Sequence, residues 1–339
     1  MKILVTGGVG FIGSHTVVEL FNAGFEPVII DNLYNSSRDV LVGIKKITGQ
    51  DFPFYEVDCN DISQVREIFE KEKFDGVIHF AAYKAVGESV DEPLKYYENN
   101  ILSLLILLKV MKEFAVDKFV FSSSCTVYGQ PDSIPVTELT PRQPATSPYG
   151  NTKAIAEDII RDHVHAAPNL KAISLRYFNP IGAHETALIG ELPNGVPSNL
   201  VPFITQTAAG LRKSLTVFGS DYDTPDGTCI RDFIHVVDLA KAHLKALILL
   251  QEQTTPNYYD VFNVGTGKGY TVLDLIKTFE EVNGVKLNYS IGPRREGDVE
   301  KIYAQSDKVN NVMKWTPEKT MSDALRDAWN WQKKLTNLQ

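Results

Sequence analysis

The chain has 339 residues, is 43% hydrophobic and carries a formal net charge of −8 at pH 7. That length and apolar content can build the core of one large domain or of two linked lobes, and the negative balance argues against nucleic acid or an anionic membrane as the main partner. Its cysteines (Cys59, Cys125 and Cys229) lie far apart without ligand spacing, so neither a zinc site nor a disulfide framework is expected.

Lys2 to Thr6 reads as a buried parallel strand, and with only three apolar residues after Lys2 it does not read as a signal peptide. Gly7-Gly8-Val9-Gly10-Phe11-Ile12-Gly13 follows at once. A helical pattern then runs through Val17, Val18, Leu20 and Phe21 and stops at Gly24. Glycines at 7, 10 and 13 permit a tight turn, close approach of a pyrophosphate to backbone N–H groups, and close helix–strand packing. A second strand, Val28 to Ile30, ends in Asp31, where a carboxylate can accept from a ribose 2′-hydroxyl. Asp31, with Asn32 beside it, predicts NAD rather than NADP, whose 2′-phosphate it would repel.

Further strands follow: Phe54 to Val57 leading to Asp58, Gly76 to Phe80 leading to Ala81, and Phe119 to Phe121 leading to Ser122-Ser123-Ser124. Helical patterns at about 61–72 and 93–114 separate them. The greasiest stretch, Ile101 to Met111, is interrupted by Ser103 and Lys109 and is too short to cross a bilayer. A strand at 171–177 comes after a helix at about 150–165. This alternation predicts an α/β fold with a doubly wound, parallel Rossmann-type sheet. Ligands of such sheets bind beyond the carboxyl ends of the strands, where Asp58, Phe80, Lys84 and Ser124 fall. From about 180 to 230 the chain is loop-rich, with Pro193, Pro197, Pro202 and Pro225. A dinucleotide-binding domain over residues 1–178 is therefore expected, with 235–265 returning to it through helix 238–250 and strand 260–264. Residues 179–339, ending in a helix at 323–333, would mainly form a smaller substrate-binding lobe.

Tyr149 and Lys153 stand four residues apart where the helical pattern of Ile155, Ala156, Ile159 and Ile160 begins, so both project from one face. A phenol has a pKa of about 10; bringing it near 7 takes roughly 4 kcal/mol. A cation ~4 Å away supplies about 1 kcal/mol in water but ~4 kcal/mol at an effective dielectric near 20. The pair is useful as a base only in a closed, partly dry cleft.

Together, Thr6 to Gly13, Ser122-Ser123-Ser124, the Tyr149/Lys153 pair and Arg176 to His184 resemble the extended short-chain dehydrogenase/reductase superfamily. Within it the chain is most similar to the UDP-galactose 4-epimerase family. The likeness runs end to end, through Gly227 to Val236 and Arg294 to Asp298. The glycine and Tyr/Lys motifs are superfamily-wide; the Arg176–His184, Arg231-Asp232 and Arg294–Asp298 stretches are more specific.

Carried over by position, the resemblance implies NAD contacts at Gly7, Gly10, Phe11, Ile12, Gly13, Asp31, Asn32, Asn35, Asp58, Cys59, Phe80, Ala81, Lys84, Asn99, Ser124, Tyr149, Lys153 and Phe178. Tyr149, Lys153 and Ser124 would be catalytic, with Lys153 bridging the nicotinamide ribose and Tyr149, and Ser124 bonding the sugar's 4-oxygen. A UDP-hexose would meet Lys84, Ser124, Tyr149, Asn179, Asn199 and Leu200. Arg231 and Arg295 would grip its diphosphate, where guanidinium forks suit phosphate oxygens, and Val217, Phe218 and Asp298 would hold uridine. Taken singly, several have plainer readings: Arg231-Asp232 an internal ion pair, Asn179 a turn residue before Pro180, Phe218 core filler. Ile302, seven residues beyond Arg295, falls where the family sets room at the sugar's C2; its size is intermediate between the Tyr and Cys that relatives use.

The resemblance implies interconversion of UDP-galactose and UDP-glucose in galactose metabolism, with tightly bound NAD regenerated each cycle. It also implies a cytoplasmic homodimer, no metal, and no appended mutarotase domain in a chain ending at Gln339. A 4,6-dehydratase would carry an Asp-Glu pair after the active-site hydroxyl; Cys125-Thr126 stand there instead. A non-catalytic NAD sensor would tend to lose the Tyr/Lys pair, which is intact.

Overall fold

A computed structural model describes residues 1–295 and 298–337. The first half alternates strands and helices: β1 (Lys2–Thr6), α1 (Phe11–Asn22), β2 (Glu26–Asp31), α2 (Asp39–Thr48), β3 (Phe54–Glu56) and α3 (Ile62–Glu72). It continues with β4 (Gly76–His79), α4 (Val86–Asp91), α5 (Pro93–Glu113), β5 (Lys118–Ser122), α6 (Pro148–Ala166) and β6 (Lys171–Tyr177). A 3₁₀ turn at Cys125–Tyr128 follows β5.

Shorter elements come next: β7 (Asn179–Ile181), α7 (Leu200–Ala208), β8 (Leu215–Phe218), β9 (Ile230–Arg231) and β10 (Phe233–His235). Then come α8 (Val236–Glu252), β11 (Tyr258–Val264), β12 (Tyr270–Thr271), α9 (Val272–Asn283), β13 (Tyr289–Gly292), β14 (Lys301–Ile302), α10 (Asp307–Met313) and α11 (Met321–Leu335).

Seven strands form one sheet in the order β11-β6-β5-β4-β1-β2-β3, every neighbour parallel. The α/β Rossmann-type architecture read from the sequence is what the chain adopts. Strand order reverses between β1 and β4, the position where such sheets open a ligand crevice. A parallel sheet is buried on both faces, and two apolar layers do this. Val17, Val18 and Leu20 of α1 pack with Leu239 and Leu247 of α8 on one face. Leu104, Leu107 and Met111 of α5 pack with Ile160 and Val164 of α6 on the other. A third core joins Ile204 of α7, Phe279 of α9 and Trp329 of α11 beside the small β10-β7, β12-β9-β14 and β13-β8 sheets.

Among the buried histidines are His15 on α1, His79 on β4 and His243 on α8. Burial lowers their pKa values to about 3, 3 and 4 respectively. The unfolded chain takes up these protons near pH 6.5 and the folded chain does not. Stability present above that pH is therefore lost as pH falls, by up to ~1.4 kcal/mol per unit for each histidine. Urea midpoints should drop clearly between about pH 7 and pH 5; an unchanged midpoint would contradict the buried neutral assignment.

Candidate active site

The glycine turn is built from main-chain contacts with no room for side chains. Gly7 donates to Ile30 O at 2.8 Å, and Gly10 donates to Gly7 O at 3.0 Å. Gly7 has φ +68°, and a Cβ there would lie 2.8 Å from the Ala81 nitrogen. A Cβ on Gly13 would lie 2.1 Å from Gly7 O. The N-terminus of α1 is thereby held directly beyond β1, with its free N–H groups facing the crevice.

Asp31 closes β2. Its carboxylate accepts from Leu33 N (2.9 Å), Ser36 Oγ (2.9 Å) and Val9 N (3.3 Å). Burial raises its pKa, and those hydrogen bonds oppose the rise. Asn32 Nδ2 donates to Asp58 Oδ2 at 3.0 Å, and Asn60 links Asp58 to Asn99. A cavity of about 500 Å³ opens over this floor. Gly7, Gly10, Phe11, Ile12, Gly13, Asp31, Asn32, Asn35, Asp58, Cys59, Phe80, Ala81, Lys84, Asn99, Tyr149 and Lys153 line it. Of the residues expected to contact a dinucleotide, Ser124 and Phe178 do not line it.

At the cavity's inner end, the N-cap of α6 is Ser147, whose side chain accepts from Gly150 N. That cap and Pro148 start the helix so that Tyr149 and Lys153 face inward, 8% and 4% exposed. Lys153 Nζ donates to Ser122 O at 2.7 Å and lies 4.8 Å from the Phe121 ring centre. It stands 5.9 Å from the centre of the Tyr149 ring. Burial lowers the Lys153 pKa to about 7, opposed by Glu157. Burial also pushes the Tyr149 phenol well above its ordinary value, with neighbouring Tyr177 adding to the rise and a Ser124 hydrogen bond opposing it. The sequence reading asked for a phenol poised near neutrality. The difference is physical: desolvation dominates at Tyr149, and the hydrogen bond that Lys153 makes goes to the Ser122 carbonyl rather than to the phenol.

Of the residues expected to hold a nucleotide sugar, Arg231, Arg295, Asp298 and Phe218 gather outside this lining. Arg295 Nη2 donates to Asp298 Oδ1 at 2.6 Å, and Arg231 Nη2 is 3.7 Å from the same oxygen. The Arg295 guanidinium lies 5.9 Å from the Phe218 ring centre, and Phe218 is 42% exposed rather than core filler. Among the described residues Arg231 does not pair with Asp232, whose carboxylate instead accepts from Thr266, Gly267 and Ala304. Within the Arg294–Asp298 motif, residues 296 and 297 lie outside the described residues. Val217 is buried in the third core. Asn179 is the first residue of β7, and its N–H donates to Asp232 O. Ile302 is buried with Val127, Tyr128 and Phe178. Asn199 precedes Leu200 at the start of α7 and donates to Glu191 Oε1 at 2.5 Å; Lys84 Nζ is 3.2 Å from that oxygen.

Sequence reasoning missed Tyr34, Tyr83, Tyr96 and the stretch from Gly190 to Asn194 with Val196 and Ser198, all of which line the cavity. That stretch has no periodicity. It is held by Trp331 Nε1 donating to Glu191 O at 2.9 Å and by Asn194 donating to Tyr34 O at 3.2 Å.

A family model described as GDP-mannose 4,6 dehydratase matches residues 4–328. The UDP-glucose 4-epimerase of Haemophilus influenzae is 50% identical over 333 residues, covering 98% of either chain. That of Bacillus subtilis is 48% identical over 338 residues, covering 99% of this chain and 98% of its own. The crystal structure of the Bifidobacterium longum UDP-glucose 4-epimerase in complex with NAD+ and UDP superposes with a TM-score of 0.95 at 46% identity, covering all of both chains. The chain belongs to the UDP-glucose 4-epimerase family.

Within that family the dehydratase description carries fold rather than activity, since Cys125 and Thr126 cannot serve as an acid–base pair. Burial pushes the Cys125 thiol up to about 12. The glycine cradle fits a dinucleotide: its open space is bounded by backbone atoms that a Cβ would strike, and Asp31 stands where a ribose hydroxyl can donate. Gly13→Ala should therefore abolish copurification of NAD, because the Cβ meets main-chain atoms that cannot move aside. Nucleotide released on denaturing the pure variant is the measurement; wild-type stoichiometry in Gly13→Ala protein would reject the cradle.

Proposed function

We propose that this chain interconverts UDP-galactose and UDP-glucose, and the convergence of Tyr149 and Lys153 at the inner end of the glycine-floored cavity carries that reading. The hydrogen at C4 of a hexose is not acidic, so inversion requires oxidation rather than proton abstraction from carbon. NAD, held by the glycine turn, Asp31 and Lys153, supplies that redox chemistry, removing hydride from C4 and restoring it to the opposite face once the hexose has swung over. Tyr149 takes the 4-hydroxyl proton and later gives it back. Lys153 favours the phenolate through its charge, which in a dry site outweighs what it could do in water. Ser124 orients the 4-oxygen.

Arg231 and Arg295 bind the diphosphate while Phe218 and Asp298 hold uridine, leaving the hexose without a comparable set of clamps. Asn179, Asn199, Leu200 and Lys84 bound the path between this anchor and Tyr149. Residues 1–178 with 235–265 act as the cofactor lobe, and 179–339 otherwise supply the substrate lobe. The bound NAD is regenerated in each turnover, which suits a cofactor that stays with the protein.

Tyr149→Phe keeps the ring but removes the proton acceptor, so turnover should fall about 10²–10⁴-fold with NAD still bound. Lys153→Ala should also be slow and should recover partly at high pH, because its phenol ionises without a cation. Tyr149→Phe should not recover. Conversion of UDP-galactose to UDP-glucose is the assay; near-normal turnover in Tyr149→Phe would assign the proton to another group.

We further infer a cytoplasmic homodimer formed through α5 and α6. Leu104, Leu107, Leu108 and Met111 of α5 are buried within the subunit, but Leu94 is 80% exposed and Leu102 39%, with Val90 of α4 at 59% beside them. Such apolar exposure on α5 and the neighbouring α4 suits an isologous contact. Among the described residues no helix is long and apolar enough to cross a membrane. Light scattering at micromolar concentration should return twice the 37.8 kDa chain mass; a monomer would refute the dimer.

A further inference from the structure

Glu157 lies one turn beyond Lys153 on α6 and is equally withdrawn from solvent, at 2% exposure. Residues four apart share a helix face, so Glu157 stands behind Lys153 in the wall of the site. Its carboxylate is fully engaged. Oε1 accepts from Ser123 Oγ at 2.6 Å and Arg176 Nε at 2.9 Å, and Oε2 accepts from Arg176 Nη2 at 2.6 Å. Arg142 Nη1 is 3.7 Å away. Arg176 in turn donates to Tyr128 OH at 3.0 Å, and that hydroxyl donates to Asn263 Oδ1 at 2.7 Å.

Ser123 is the middle of the serine turn. On one side of it, the Ser122 carbonyl is the acceptor for Lys153. On the other, Ser124 stands close enough to Tyr149 to favour its ionised form. One carboxylate therefore reaches the catalytic group twice, by hydrogen bond through the turn and by charge along the helix. We propose that Glu157 is a positioning residue for the epimerisation, holding Lys153 as an ammonium by its charge and fixing the Ser122–Ser124 turn through Ser123.

The surroundings of Lys153 leave that charge to Glu157. His79 on β4 and His243 on α8 both feel Lys153 and are neutral, with pKa values lowered by burial to about 3 and 4. Tyr177 on β6 is held protonated, its pKa raised by burial to about 12, and Tyr149 is raised by burial as well. Stability alone is a weak reason for so dry an ion pair, since a hydrophobic pair of similar volume often serves as well. An amide would satisfy Ser123; only a carboxylate supplies charge.

The inference rests on Lys153 being the cation that favours the Tyr149 phenolate, which Lys153→Ala tests separately. The experiment is the pH profile of kcat from about pH 6 to 10 in Glu157→Gln, Arg176→Gln, the double variant and Ser123→Ala. Titration of Lys153 is read independently of turnover by ¹³C NMR of the lysine Cε, assigned by difference from Lys153→Ala. Glu157→Gln should move the alkaline limb and the Lys153 titration to lower pH by on the order of one unit, as expected for a charge ~8 Å away at an effective dielectric near 20. Arg176→Gln, which leaves the carboxylate without its partner, should move both the other way. The double variant, free of unpaired buried charge, should show the acid-ward shift in smaller measure. Ser123→Ala should lower kcat several-fold with the limb in place. A limb and a titration that stay put in Glu157→Gln and in the double variant would overturn the proposal. So would failure of every Glu157 variant to fold even with Arg176 neutralised, since the residue would then be purely structural.

Discussion

The site depends on one steric constraint, the approach of main chain to main chain where β1, α1 and the end of β4 meet. Gly13 packs so closely on Gly7 O, and Gly7 on Ala81 N, that a methyl group fits at neither place. That contact fixes the entry of α1 against the sheet at the reversal of strand order. The floor of the cavity hangs from it. Asp31 reaches the crevice because β2 pairs with β1 from Lys2↔Glu26 to Thr6↔Ile30. Phe80 and Ala81 reach it because β4 lies on the other side of β1 in register Ile3↔Gly76 to Thr6↔His79. A slip of either strand would turn their side chains to the wrong face.

The second determinant is dryness. A lysine and a tyrosine in water barely influence one another, and the fold removes that water by sinking α6 against β5 and β6. The same burial that strengthens their interaction also penalises each charge, lowering Lys153 and raising Tyr149. On the proposed mechanism, proton transfer would rely on charge placed nearby rather than on a phenol that is acidic by itself. The Glu157–Arg176 pair is part of that placement, and it lies in the layer where α6 crosses the sheet.

Much of this was legible in the sequence because it is local. The glycine spacing, the apolar runs of β1, β2, β4 and β5, and the four-residue step from Tyr149 to Lys153 all express short-range geometry. What escaped was set by distant contacts. The strands of the substrate lobe are two to four residues long, too short for periodicity to speak. α2 follows a polar loop and was passed over, although Gly49 ends it in a left-handed cap. The capping box of Thr271 with Asp274 was a readable start for α9. The Gly190–Ser198 stretch had no such mark; a tryptophan 140 residues away, Trp331, brings Glu191 to the cavity.

The two groups of polar residues also explain how one protein can hold a substrate firmly and still let it turn. Arg231, Arg295 and Asp298 form a charged knot around a shared carboxylate oxygen, with Phe218 exposed beside it. None of them lines the cavity that holds Tyr149 and Lys153. On the proposed reading, binding energy spent at the knot would be spent away from the reacting carbon, where the hexose must present either face to Tyr149. Strong polar contacts around the sugar ring would favour one face and slow the return from the other. On the proposed reading, an anchor at the knot and chemistry at Tyr149 would remove that conflict.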